Sequence, residues 1–81
     1  MRFVNIGFGN MVNIDKVDTI VSPDAAPVKR MVQSAKDNGS AIDATCGRKT
    51  KSVLVMENRT IVLSSLLPET IVSRLDSTKG E

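Results

Sequence analysis

Histidine, tryptophan and tyrosine are absent from this chain of 81 residues, and Cys46 is its only thiol. Acid–base catalysis near neutral pH usually recruits a histidine, or a carboxylate or lysine with a shifted pKa. Only Asp, Glu and Lys remain for such a role, and the carboxylates Asp15, Asp18, Asp24, Asp37 and Asp43 are scattered at no spacing that would pair them. No catalytic residue is therefore expected. A single cysteine forms no intrachain disulfide, and without histidine there is no zinc-type cluster, so neither a metal nor a cofactor is implied. Cys46 itself, with no base beside it, reads as a strand-end residue. The Gly7-Phe8-Gly9 step lacks the third glycine of a dinucleotide fingerprint, since Val12 and Asn13 follow, and no P-loop is present. It reads as a bulge or tight turn, with Asn5 and Asn10 placed to hydrogen-bond its backbone. No apolar run is long enough to cross a membrane, and no charged segment precedes an apolar one as in an export signal. A cytoplasmic protein is expected, which also suits a lone free thiol.

Aromatic residues amount to 2% of the chain, Phe3 and Phe8 alone, so the core must come from aliphatic side chains. With 41% apolar and 25% charged residues the chain reads as one small globular domain over residues 1–76 with a frayed tail over 77–81. Such a domain gains about 3–5 kcal/mol from a single core. Without disulfide or metal, self-association is the remaining staple.

Hydropathy sets out the elements. Residues 2–6 alternate as a first strand, with Val4, Ile6 and Phe8 on one side and Phe3 and Asn5 on the other. Residues 11–14 continue it or make a short strand, and the β-branched run 17–21 is a further strand ended by Ser22-Pro23. Val28, Met31, Val32 and Ala35 fall at helical spacing, which predicts a helix over 24–38 with Asp24 as N-cap and Gly39 just past its end. Strands follow over 40–45, 50–56 and 60–64. Val53 to Met56 and Ile61 to Leu63 are apolar without alternation, so both faces of those strands should be covered. A C-terminal helix or a second subunit would supply the second cover. Pro68 suits the first position of a short helix with Ile71, Val72 and Leu75 on one stripe. The fold class expected is α+β: a mixed, mostly antiparallel sheet with one central amphipathic helix and a short C-terminal helix.

What the chain does have is concentrated positive charge. The net charge is only +2, but between Lys29 and Lys51 six cations face two acids, Asp37 and Asp43. Three of them, Arg48, Lys49 and Lys51, crowd a turn just past Gly47. Lys29 and Arg30 open a helix, where cations oppose the helix dipole unless an anion compensates. No aromatic interleaves with the basic residues in sequence, which favours duplex backbone contact over a single-strand stacking platform.

Several segments match one family in order and spacing. Asn5-Ile6-Gly7-Phe8-Gly9-Asn10, Ile20-Val21-Ser22-Pro23, Ala26-Pro27-Val28-Lys29-Arg30, Ile42-Asp43-Ala44-Thr45 and Gly47-Arg48-Lys49-Thr50-Lys51 together resemble the RemA family of bacterial extracellular-matrix regulatory proteins, from about Phe3 to Leu75. The resemblance implies a cytosolic DNA-binding regulator built as a closed homo-oligomeric ring, with an octamer as one candidate, acting on transcription of biofilm matrix operons. The family's DNA-contacting arginines map onto Lys16, Arg48 and Lys49. Lysine at two of these keeps the charge and loses the bidentate fork, which suits phosphate contact rather than base readout. The family often carries tyrosine where this chain has Cys46. Lys16, Arg48, Lys49 and Lys51 are thus the expected first DNA contacts, with Lys29 and Arg30 second. The alternatives are an RNA-binding translational regulator and a structural assembly subunit that binds no nucleic acid.

Overall fold

A computed structural model describes residues 2–79. Two short strands, β1 (Phe3–Asn5) and β2 (Met11–Asn13), form an antiparallel hairpin in which Val4 faces Val12. The turn between them reverses at Gly7, Phe8 and Gly9, all at positive φ (113°, 55° and 75°). Asn10 N–H donates to the Gly7 carbonyl and Ile6 N–H to that of Asn10. The expected asparagine braces are present: Asn5 Oδ1 accepts from Gly7 N–H at 2.7 Å, and Asn10 Nδ2 donates to the Gly7 carbonyl at 2.9 Å. Val4 and Ile6 are buried as their alternation predicts, but Phe8 is not. The positive φ of Gly7 turns the chain before Phe8 reaches the strand face and leaves it at the turn apex.

A 3-10 turn, Ile14–Lys16, leads into β3 (Val17–Val21). Helix α1 (Ala26–Asp37) then crosses to β4 (Ala41–Asp43), and β5 (Ser52–Met56) and β6 (Ile61–Ser64) form a hairpin. The four strands lie in the order β3-β5-β6-β4, antiparallel except for the parallel pair β4–β6. Helix α2 (Pro68–Lys79) closes the chain. The architecture is α+β, with a mixed, mostly antiparallel main sheet as expected and the N-terminal hairpin as a separate two-stranded sheet.

The two central strands are covered on both faces, and by this chain itself. On one face Val53, Ile61 and Leu63 pack against Ala35, Val28, Met31 and Val32 of α1. On the other, Leu54 and Val62 pack with Ile6 and Val12 of the hairpin and Ile71 of α2. The second cover is therefore the hairpin together with α2. A second subunit is not required for it.

Three boundaries differ from expectation. The N-cap of α1 is Ala25, not Asp24, and it makes no side-chain cap bond. Ser22 and Asp24 instead bond each other, the Ser22 hydroxyl to Asp24 Oδ2 at 3.3 Å, so the chain enters the helix one residue later. Gly39, at φ 78°, follows the helix end as expected. Strand β4 stops at Asp43 because that side chain accepts from Thr45 N–H and turns the chain away. Helix α2 continues to Lys79, since no glycine or proline stands between Pro68 and Gly80, so residues 77–79 are helical. Residues 80 and 81 of the expected tail lie outside the described residues.

Candidate nucleic-acid interface

The basic segment is a crossing loop, not a hairpin. It leaves β4 and enters β5, and β6 lies between those strands. It is pinned on both sides of the strand it crosses: Ala44 N–H donates to the Leu63 carbonyl at 2.9 Å, and Lys51 N–H to that of Ser64 at 2.8 Å. Cys46 and Gly47 take φ of 53° and 80°, and Arg48 N–H donates to the Thr45 carbonyl. Two successive positive φ values are the pattern of a type I′ turn. Cys46 therefore sits exposed in the turn rather than at a strand end.

Beneath the loop lies a set of buried hydroxyls, each satisfied. Thr45, Ser52 and Ser64 are essentially inaccessible. The Ser64 hydroxyl donates to the Ile6 carbonyl at 2.7 Å and accepts from Leu66 N–H at 3.1 Å, and the Ser52 hydroxyl donates to the Leu66 carbonyl. Thr45 donates both its N–H and its hydroxyl to Asp43 Oδ1. Asn10 Nδ2 also reaches the Ala44 carbonyl at 3.3 Å, tying the hairpin turn to the loop. Paired hydroxyls in a dry environment fix backbone geometry, because losing one partner leaves the other without water to replace it. The two Thr45 bonds, helped by the nearby Lys36 charge, hold the Asp43 carboxyl below its ordinary value. At the far end of the molecule the Arg2 guanidinium, 3.1 Å from Asp15 Oδ1, does the same for Asp15.

Above this base stand Arg48, Lys49 and Lys51, all exposed. Phe8 and Ser65 join them in a cleft of about 290 Å³. The Arg48 guanidinium carbon lies 5.6 Å from the centre of the Phe8 ring, within cation–π range. On their other side Lys49 and Lys51 line a cleft with Ser22, Asp24, Leu67 and Glu69. Lys29 and Lys36 flank a neighbouring groove that Thr50 also lines. Among the described residues no carboxylate forms an ion pair with Arg48, Lys49, Lys51, Lys29, Arg30 or Lys16.

The structure brings together part of the expected set and separates the rest. Arg48, Lys49 and Lys51 form one cluster, and Lys29 lies beside it. Arg30 is on the solvent side of α1, about 100° around the helix from Lys29. Lys16 stands at the opposite end of β5, where its carbonyl accepts from Glu57 N–H. The strand between is about 17 Å long at ~3.3 Å per residue. There Lys16 borders an open, mainly apolar groove of about 680 Å³ with Met11, Ile42, Met56 and Val62. Sequence reasoning missed Lys36 and Phe8 as neighbours of the cluster. Lys36 was legible in principle, one i, i+7 step from Lys29 on the same flank of α1. Phe8 was not, because its contact spans two loops far apart in sequence.

The family model described as extracellular matrix regulatory protein A-like matches residues 3–75. The chain belongs to the RemA-like family. A relative from Lachnoclostridium phytofermentans, whose name reads "Putative regulatory protein", is 63% identical over 75 residues, covering 93% of this chain and 82% of its own. Similarly named relatives from Geobacillus kaustophilus and Bacillus cytotoxicus are each 51% identical, over 93% and 95% of this chain and 86% and 88% of theirs. The names of the family and of these relatives indicate a regulatory protein rather than an enzyme. No helix among the described residues is long and apolar enough to cross a membrane.

Proposed function

We propose that this RemA-like protein is a cytoplasmic transcriptional regulator that binds double-stranded DNA through phosphate contacts, acting as a homo-oligomer on extracellular-matrix genes. The observation that carries the reading is the loop over β6: three exposed cations that pair with no carboxylate among the described residues, held on a base of buried hydroxyls. Flexible lysines on a floppy loop would lose entropy on every contact, whereas a pinned loop presents its charges already ordered. Lys29 and Lys36 extend the positive field along α1, and repetition around an assembly multiplies a contact that is weak in one subunit.

The chain covers β5 and β6 itself, so those strands need no partner. Exposed Met11 and Ile42, beside the apolar groove at the β5–β6 turn, argue for one instead. Leu67 and Val72, also exposed, follow β6 at its other end. Two different apolar patches at opposite ends favour a head-to-tail contact with a second copy, which closes into a ring when the rotation permits. Such a contact carries Lys16 of one subunit towards the basic loop of the next, which would unite the cations that one chain keeps apart.

Binding of a labelled duplex of a few helical turns, competed by unlabelled duplex and by single-stranded RNA, tests the reading. Duplex should compete far better than RNA, and Arg48→Ala should weaken binding. Equal or better competition by RNA would favour the translational alternative, and no binding to either would leave an assembly subunit.

A further inference from the structure

We propose that Phe8 is a positioning residue for Arg48, its ring holding the guanidinium in the orientation that meets a phosphate. This rests on the duplex-binding reading above. Three features of Phe8 converge. It stands at φ 55°, a region that suits glycine and asparagine and strains a bulky side chain. The residue is 54% exposed, so much of its apolar surface stays in water. And that ring lies 5.6 Å from the Arg48 guanidinium carbon. A residue that strains the backbone and leaves much of its apolar surface in water is a poor choice for stability alone in a turn whose other central position is Gly9. Asparagine before that glycine would make the pair a type I′ turn prefers. The contact to Arg48 is what the phenylalanine adds.

The geometry suits the role. The Phe8 turn and the Arg48 turn are both fixed, and Asn10 bonds each of them through the Gly7 and Ala44 carbonyls. The two turn backbones are thus held in register, which places the ring face beside the Arg48 side chain. Stacking one face of the guanidinium leaves its edge N–H groups available, and those are the groups that bind phosphate oxygens.

The test uses the full-length protein with Phe8→Leu, Phe8→Asn and Phe8→Trp, each alone and with Arg48→Ala. Duplex affinity is measured over a range of salt, and the Arg48 Nε–H resonance is followed by NMR in the free protein. Phe8→Leu should weaken binding about threefold for each engaged contact, as expected for loss of an exposed cation–π pair. The salt slope should not change, since no charge is removed. The Nε–H resonance should lose its ring-current shift. Phe8→Asn should weaken binding while raising the melting temperature, which separates the effect from misfolding. Phe8→Trp should retain binding. In the Arg48→Ala background none of the Phe8 changes should matter further. Wild-type binding by Phe8→Leu, where Arg48→Ala binds weakly, overturns this inference alone. So does an equal further loss in the Arg48→Ala background, because Phe8 would then touch DNA by itself. Wild-type binding by Arg48→Ala overturns the roles of Arg48 and Phe8 together, whereas no duplex binding by the wild-type protein overturns the reading on which this inference rests.

Discussion

Gly7 and Gly9 both sit at positive φ, yet they should respond differently to substitution. The φ of 113° at Gly7 lies outside the left-handed helical region, while the 75° at Gly9 lies close to it. Added bulk is not the obstacle: a Cβ on Gly7 meets Ser65 Oγ at 3.5 Å, an ordinary contact, and one on Gly9 meets nothing within 4 Å. Backbone strain alone decides. Gly7→Ala should cost about 1–3 kcal/mol and Gly9→Asn a few tenths, read as melting temperatures. Equal losses would contradict the assignment of the strain to Gly7. Asp43 gives a second prediction at this scale. Its carboxyl is held below the ordinary value by the two Thr45 bonds and by Lys36. A carboxyl lowered in the folded state contributes stability above its unfolded pKa and loses it as pH falls through the folded one. Asp43→Asn should therefore flatten the acid limb of the stability curve and leave the neutral and alkaline limbs parallel to wild type. What was legible here was the glycine turn, since Gly-x-Gly-Asn announces positive φ and backbone-bonding amides. The fate of Phe8 was not, because alternation carries no signal of where a strand stops.

Helix α1 was readable almost whole, because four apolar residues at helical spacing leave only one face to bury. Its start was not. A capping residue is recognised by type, and Asp24 is the right type, but Ser22 competes for its carboxylate. The cap position fell to Ala25, which has nothing to offer. Ala25→Ser should thus stabilise the protein by about 1 kcal/mol, seen as a higher denaturation midpoint with an unchanged denaturant slope. The second cover of the sheet was read in part: the C-terminal helix was one of the two candidates and Ile71 of α2 packs there, but the hairpin beside it was not weighed. A strand of three residues carries little pattern, so residues 11–14 read equally as a continuation of β1 or as a short strand, and the hairpin that β2 forms could not be weighed as a layer. Ser64 is the residue on which that layer hangs, because its hydroxyl bridges Ile6 of the hairpin side and Leu66 of the α2 side. Ser64→Ala would strand a buried carbonyl and an N–H, costing about 1–3 kcal/mol, whereas a serine that merely fills space would cost a few tenths.

Across the whole molecule, the basic loop, the flank of α1 and the apolar groove divide the surface between two tasks. The groove lies near the β5–β6 turn and the cations near the other end of those strands, within a body of 38 × 24 × 21 Å. Ile42, exposed beside the groove, should matter to assembly and not to folding. Ile42→Asp should reduce the particle towards the 8.7 kDa chain mass in light scattering while preserving the melting of the subunit. Charge clustering was visible in sequence as a run, but the separation of Lys16 and Arg30 from it was not, since which charges share a surface depends on how strands and helix wrap. The salt dependence of duplex affinity for wild type and for Arg48→Ala with Lys49→Ala is the most direct measurement of the central claim. Each phosphate contact contributes about −0.9 to the slope of log affinity against log salt. The double variant should therefore bind much more weakly, with a flatter slope, at unchanged particle size and melting temperature. Wild-type affinity and slope in that variant would show that the loop over β6 touches no phosphate, and the account would fail.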